Sequence, residues 1–344
     1  MLKPPNRQPP TGWRRIETLD AHTCGEPLRI VLSGLPAIPG KTILEKRRYV
    51  KEHLDHLRTG LMFEPRGHAD MYGAILTEPV SNDGDCGVIF MHNEGYSTMC
   101  GHGIIALTCA LLDTGMVDKT GDAPELRIDS PAGRVTATGH RRGGRVTKAS
   151  FHNVPSFVFA RDCQVDVPEV GRIPVDIAFG GAFYAFCPAA SVGATIVPEE
   201  HDRLIHFGKL VKRAVMAQIA IRHPFEEDLG FLYGTIFTGP PADPRHHSRN
   251  VCIFAEGEVD RSPTGTGVSA RAALHHSKGE LAPGNSVVIE SILSTTMTVR
   301  VAEVVEFGGY PAVIPEVSGM AYITGRNEFH FDPDDPLING FIFR

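Results

Sequence analysis

Met99-Cys100-Gly101-His102-Gly103 places a thiol and an imidazole among glycines, directly ahead of an apolar run that continues from Ile104 to Leu112 and meets Gly115. The run reads as a helix that is apolar all round and therefore buried, with a glycine as its stop residue. The start of such a helix carries free N–H groups and a partial positive charge. An anion docks there, and a thiol there is expected to have a lowered pKa and more thiolate. The chemistry on offer is that of a reactive thiolate beside a docked anion.

A second stretch partly echoes the first. Asp260-Arg261-Ser262-Pro263-Thr264-Gly265-Thr266-Gly267 runs into Val268-Ser269-Ala270-Arg271-Ala272-Ala273-Leu274. Thr264 aligns with Cys100 and Thr266 with His102, at an offset of 164 in a chain of 344 residues. Two loop–helix units half a chain apart predict two similar lobes that aim two helix starts at one small anionic ligand. Either unit alone would be an ordinary Gly-x-Gly turn.

Composition sets the frame. The length allows two domains, and 42% hydrophobic with 22% charged residues is usual for a globular protein. A net charge of −6 argues against general nucleic-acid binding. The 36 glycines and 26 prolines predict many turns between short strands. No apolar stretch approaches the ~18 residues of a membrane span. Seven cysteines without a signal peptide or a CxxC pair predict reduced thiols in the cytoplasm rather than disulfides or a zinc site.

Taken in order, residues 1–14 read as a disordered arm. Residues 15–35 read as strand, turn and strand, with His22-Thr23-Cys24-Gly25-Glu26-Pro27 at the turn, read as a tight turn in preference to a metal site. A helix is predicted over 42–59 with Thr42 as N-cap. The loop Glu64–Gly73 comes next, with His68 and Asp70 either at substrate or in solvent, and then a strand over 87–93. Antiparallel strands are predicted over 125–159, and a pair over 175–186 broken by Gly180-Gly181, where a bulge or a close ligand approach is open. A helix over 198–221 carries an apolar stripe. The exposed His246-His247 loop precedes a strand over 251–259, and long strands over 287–307 and 312–331 close the chain. The lobe boundary is placed near 157–164, so that residues 1–160 form the first lobe and 161–326 the second. The segment 327–344 is expected to rejoin the first lobe, since chain ends often lie together.

These residues carry a resemblance. The Met99–Gly103 and Asp260–Gly267 loops, with His22-Thr23-x-Gly25-Glu26-Pro27 and Glu64-Pro65-Arg66-Gly67-His68, resemble the signature segments of the proline racemase family over nearly the whole chain. The resemblance implies an α/β fold of two pseudo-symmetric lobes, each a β-barrel-like sheet around a central helix, as in diaminopimelate epimerase, with the active site in the cleft. In the racemases each loop supplies one cysteine, one taking the Cα proton and the other returning a proton to the opposite face, with no cofactor. Here the second cysteine is replaced by Thr264, whose hydroxyl is far too weak an acid and base to replace a thiol. Cys in the first loop with Thr in the second resembles the trans-3-hydroxy-L-proline dehydratases.

Stereochemistry agrees with that implication. In trans-3-hydroxyproline the C2 hydrogen and the 3-hydroxyl share a ring face, so one group there can take the proton and assist departure of water. The resemblance implies Cys100 as the base and an imino-acid substrate held by Gly101, His102, Asp260, Thr264, Gly265 and Thr266. The backbone N–H groups of Gly101-His102 and Gly265-Thr266 would hold the carboxylate, Asp260 the ring ammonium, and Thr264 the second face. No metal or cofactor is expected. The product enamine would tautomerise to Δ1-pyrroline-2-carboxylate. A proline racemase or hydroxyproline 2-epimerase, a non-catalytic imino-acid-binding protein, and a homodimeric state remain open. Cys109, Cys163, Cys187 and Cys252 are taken as inert thiols.

Overall fold

A computed structural model describes residues 10–343. The N-terminal arm expected over 1–14 lies largely outside those residues; the first strand begins at Arg14. The helices are α1 (Ile43–His53), α2 (Asp55–Met62), α3 (Gly101–Asp113), α4 (His201–Gln218) and α5 (Gly265–Ser277). No described helix is long and apolar enough to cross a membrane.

The two halves repeat one strand plan. In the first, Glu26–Ser33 runs parallel to Tyr72–Thr77, which pairs antiparallel with Cys86–His92, which runs parallel to Glu125–Ser130. In the second, Phe183–Pro188, Leu232–Gly239, Ser248–Phe254 and Ser286–Glu290 repeat those pairings in the same order. Parallel neighbours need a crossover, usually a helix. The α1–α2 pair and α4 fill the first crossover of each half; α3 and α5 fill the second. Tyr310–Gly319 pairs back onto Ser156–Val167 and so closes the second sheet into a barrel. The same strand also pairs with Arg145–His152, and Ala321–Phe331 pairs with Arg14–Thr23.

Each barrel is filled by its central helix. All of Gly101–Leu112 is buried, and so is Gly265–Leu274. Ile104, Ile105, Leu107 and Leu111 pack against strand residues Leu28, Ile30, Val88, Leu126 and Ala137. At roughly 1.5–3 kcal/mol per large apolar side chain, this burial holds the helix where chain propensity alone would not. The glycines at the helix starts set how near the helices come. A Cβ on Gly103 would fall 2.4 Å from Phe90 and one on Gly267 2.3 Å from Ile236, both on sheet strands. A Cβ on Gly101 would fall 2.5 Å from the Cα of Gly265, so the two helix starts touch backbone to backbone.

Further contacts fasten the halves around that point. Arg261 donates from its guanidinium to Asp70 at 2.8 Å and from its backbone N–H to Glu26 Oε2 at 2.8 Å. Val259 N–H donates to Asp70 at 3.2 Å, and His92 Nδ1 lies 3.2 Å from Glu258. The segment leading into α5 is therefore held by the first half.

Several elements differ from expectation. The helix predicted over 42–59 keeps its Thr42 cap, with Oγ1 accepting from Glu45 N–H, but breaks at Leu54. The break turns Leu57, Leu61 and Met62 into a separate apolar cluster. The strand predicted over 251–259 is a hairpin, turned at Ala255–Gly257 with positive φ at both residues. The two long C-terminal strands are four, with turns at 291–295, 308–309 and 320. A Cβ on Gly180 would fall 2.2 Å from the carbonyl oxygen of Thr266, so the glycine lets the bend between two strands pass against α5.

The helix contact gives a test. Alanine normally stabilises a helix relative to glycine by roughly 0.5–1 kcal/mol. Gly265→Ala should do the reverse and lower stability by about 1–3 kcal/mol, because backbone and not a flexible side chain meets the new Cβ. A denaturant midpoint equal to or above that of the parent chain would contradict the contact.

Candidate active site

One small cavity lies where the two helix starts meet, with an empty volume near 300 Å³. Its walls include Cys100, Gly101, His102, Asp260, Thr264, Gly265 and Thr266. The structure thus gathers every residue singled out from the two loops. It adds six others: Glu26, Tyr72, Tyr184, Tyr233, Cys252 and Phe254, with Met99 at the edge.

Cys100 is the N-cap of α3. Its backbone is extended, and its Sγ accepts from Gly103 N–H at 3.2 Å. His102 Nδ1 lies 3.2 Å from the same sulfur. Burial holds the imidazole below its ordinary pKa, so the ring is neutral and can accept a proton; the negative charge of Asp260 and a hydrogen bond to the Pro27 carbonyl oppose the shift. Tyr72 packs edge-on against it at 4.7 Å. The His102 carbonyl accepts from Thr23 Oγ1 at 2.8 Å, which ties the Thr23–Glu26 turn to the start of α3.

The thiol departs from expectation. Its pKa is raised, not lowered. Complete burial is the largest cause, and the charge of Asp260 adds to it. The Gly103 N–H and the Tyr72 hydroxyl act the other way and do not prevail. A helix start stabilises a thiolate only against the cost of removing that charge from water, and here the cavity is closed.

Thr264 occupies the equivalent position at α5 in a different way. Its φ is +67°, a rare conformation for a β-branched residue. Its side chain does not cap the helix, and its hydroxyl acts on the Cys252 thiol, whose pKa it lowers against the larger effect of burial. Thr266 Oγ1 bonds instead to Tyr184 Oη at 2.6 Å. Asp260 is buried, with Oδ1 accepting from Ser262 N–H at 2.7 Å. Tyr72, Ser97 and Tyr233 join their hydroxyls across the halves, Ser97 to Tyr233 at 2.8 Å.

Two of the residues that the structure adds had been read as structural. Cys252, taken as inert, lies on the cavity wall. Its thiol is raised by burial first and by Asp260 second. Glu26, in a turn read as structural, is fully buried with Oε1 unpartnered. His22 does only turn work: its Nδ1 accepts from Gly25 N–H at 3.2 Å. His68 caps nothing in the cavity and bonds to the Ala69 carbonyl, while Asp70 serves the Arg261 contact. The signal that could have found Glu26 was a carboxylate flanked by Gly25 and Pro27, a position too constrained for an ordinary solvated residue.

Comparison with known proteins fits this geometry. The family model described as Proline racemase matches residues 18–342. The chain belongs to the proline racemase family. It is 50% identical over 333 residues to a trans-3-hydroxy-L-proline dehydratase of Colwellia psychrerythraea, covering 97% of this chain and 94% of that one. It is 47% identical over 331 residues to a 3-hydroxyproline 2-epimerase of Burkholderia multivorans, covering 96% and 99%. A solved hydroxyproline epimerase from Agrobacterium vitis, with trans-4-OH-L-proline bound, superposes with a TM-score of 0.91 at 31% identity and 96% coverage of each chain.

The raised thiol predicts a pH profile. The thiolate is the reactive form, and a pKa above the ordinary thiol range leaves it scarce at neutral pH. Alkylation of Cys100 by iodoacetamide, followed by peptide mass, should therefore accelerate by about tenfold per pH unit from about pH 7 to beyond about pH 9. A rate that levels below about pH 8 would show a thiol lowered by the helix start instead.

Proposed function

We propose that the protein removes water from trans-3-hydroxy-L-proline, giving Δ1-pyrroline-2-carboxylate, with Cys100 as the base that takes the C2 proton. The observation that carries the reading is the asymmetry of the two helix starts: a capping thiol at one, and at the other a threonine hydroxyl that cannot return a proton. The several relatives named trans-3-hydroxy-L-proline dehydratase, at 45–50% identity, support the same substrate.

The substrate carboxylate docks against the N–H groups of Gly101-His102 and Gly265-Thr266, which point into the cleft from both lobes. Asp260 pairs with the ring ammonium. Cys100 lies on the face shared by the C2 hydrogen and the 3-hydroxyl. Charge that develops on the carboxylate as C2 ionises is met by the same backbone donors, already oriented and shielded from water. The C2–H electrons become the C2=C3 bond as the C3–O bond breaks. The enamine leaves and tautomerises in solution. The reaction so written uses no cofactor.

Epimerisation at C2 is the second reading. The Burkholderia multivorans relative favours it, and so does Cys252, a thiol on the cavity wall. Product and chirality analysis on trans-3-hydroxy-L-proline, trans-4-hydroxy-L-proline and L-proline separates the two. Dehydration of the first with no racemisation of the others is expected; racemisation of proline at the dehydration rate would reverse the assignment.

Cys100→Ser should abolish turnover while leaving the fold intact, because serine is itself a favoured N-cap and can accept from Gly103 N–H. A folded variant with near parental activity would remove Cys100 from the mechanism.

Thr264→Cys places a thiol at the second helix start. It should add C2 epimerisation of L-proline, read as deuterium uptake with loss of optical rotation, and keep part of the dehydratase activity. Proline racemisation by the parent chain equal to that of the variant would show that Thr264 does not set the outcome.

A further inference from the structure

Loss of a hydroxyl needs an acid as well as a base. Hydroxide is a poor leaving group, so the 3-hydroxyl must receive a proton as the C3–O bond breaks. Cys100 has just accepted one from C2 and lies by that carbon. His102 is neutral, and one ring N–H is engaged with the Pro27 carbonyl.

Glu26 has the attributes of the missing donor. It begins the strand Glu26–Ser33, in the same lobe as Cys100, and the adjacent Thr23 bonds to the His102 carbonyl. It lines the cavity and has no solvent exposure. One carboxyl oxygen, Oε2, is fixed by Arg261 N–H at 2.8 Å. The other, Oε1, has no partner at all. A buried polar atom without a partner is costly and asks for a ligand. The environment also selects the proton-bearing form. Burial raises the Glu26 pKa well above the carboxylate range; the charge of Asp260 adds to this, and the charge and backbone N–H of Arg261 oppose it without prevailing. An acid held neutral can donate where an ordinary carboxylate cannot.

We infer that Glu26 is the general acid of the dehydration, donating its Oε1 proton to the departing 3-hydroxyl on the face where Cys100 works. The inference rests on the dehydratase reading above. The balance is closed: Cys100 thiolate takes the C2 proton, the C2–H pair forms C2=C3, the C3–O pair leaves with oxygen, and the Glu26 proton completes water. Glu26 is left a carboxylate and Cys100 a thiol. Transfer of that one proton from Sγ back to Oε1 restores the starting state, and no outside reactant is needed.

The test varies the leaving group. Fluoride is a much weaker base than hydroxide and leaves carbon without a full proton, so trans-3-fluoro-L-proline demands the base but far less of the acid. Glu26→Gln retains an oxygen that can accept from Arg261 N–H. It should lower kcat for water loss from trans-3-hydroxy-L-proline by about 10²–10⁴-fold, the range for a general acid, with little change in KM. Fluoride release from the fluoro analogue should fall by less than about tenfold. Equal losses on both substrates would show that Glu26 only positions the Arg261 segment, and undiminished water loss would show that another group is the acid; either overturns the inference. If the glutamine variant does not fold, Glu26→Asp, which withdraws the acid by one methylene, must still slow water loss more than fluoride loss. Wild-type protein that acts on neither substrate overturns the dehydratase reading itself, apart from any variant.

Discussion

The structure depends on two helix N-termini pressed together inside the protein. Each carries about half a positive charge, and Gly101 and Gly265 bring them to backbone contact. In a dry interior this is unfavourable unless negative charge is near. The acidic residues Asp260, Glu26 and Glu258 are all buried close to that point. Their concentration in the protein interior is otherwise hard to account for, since buried acids without partners are costly. Asp260 offsets the helix ends, the neutral Glu26 acid adds a polar group beside them, and a bound carboxylate would complete the balance. The fold is thus arranged for an anion at its centre, and the twofold strand plan is what places both helix starts on one ligand.

The same arrangement constrains the thiol. A cysteine at a helix start is commonly reactive because the dipole favours the thiolate. Here burial and the charge of Asp260 outweigh that effect. The two observations are compatible: the acid that makes the closed helix pair tolerable also holds the thiol protonated. On the proposed reading substrate would shift this balance, because its ammonium would bring a positive charge opposite Asp260 and remove part of the field that suppresses ionisation of Cys100.

Much of this was legible in the sequence because glycine spacing reports close approach directly. Gly101-x-Gly103 and Gly265-x-Gly267 each combine one glycine for the opposing helix with one for the sheet, and no other residue fits either place. The apolar run after Cys100 likewise requires burial. What was not legible depends on contacts made across the chain. Cys252 sits in the continuous apolar run Val251–Phe254, in a strand buried throughout, like any core cysteine, and only the folded sheet, where its strand pairs with Leu232–Gly239, puts it on the cavity wall. Glu26 lies in a turn that would suit solvent, and its burial comes from Arg261, 235 residues later. The break at Leu54 and the hairpin at Ala255–Gly257 were hidden for a local reason: both interrupt stretches whose periodicity continues through them. The thiol pKa could not be read from motif position, because the sign depends on desolvation and that exists only in the folded lobes.

Dehydration and epimerisation share their first step, removal of the C2 proton, and diverge at the second. Epimerisation needs a donor on the face opposite the base. Dehydration needs a leaving group and an acid on the base's own face. A pseudo-symmetric scaffold supplies one helix start per face, so the residue at each start decides which of these is present. On the proposed reading, Thr264 removes the opposite-face donor and leaves the anion site in place, because that site would be made of backbone N–H groups and not of the side chain. Its positive φ and the absence of a side-chain cap bond show that the position is not optimised for threonine capping. The backbone is held there by the close contact of Gly265 with Gly101, whatever side chain it carries. On the proposed reading, reaction type would change at one residue while substrate binding persists, and Thr264 is where this chain would make that choice.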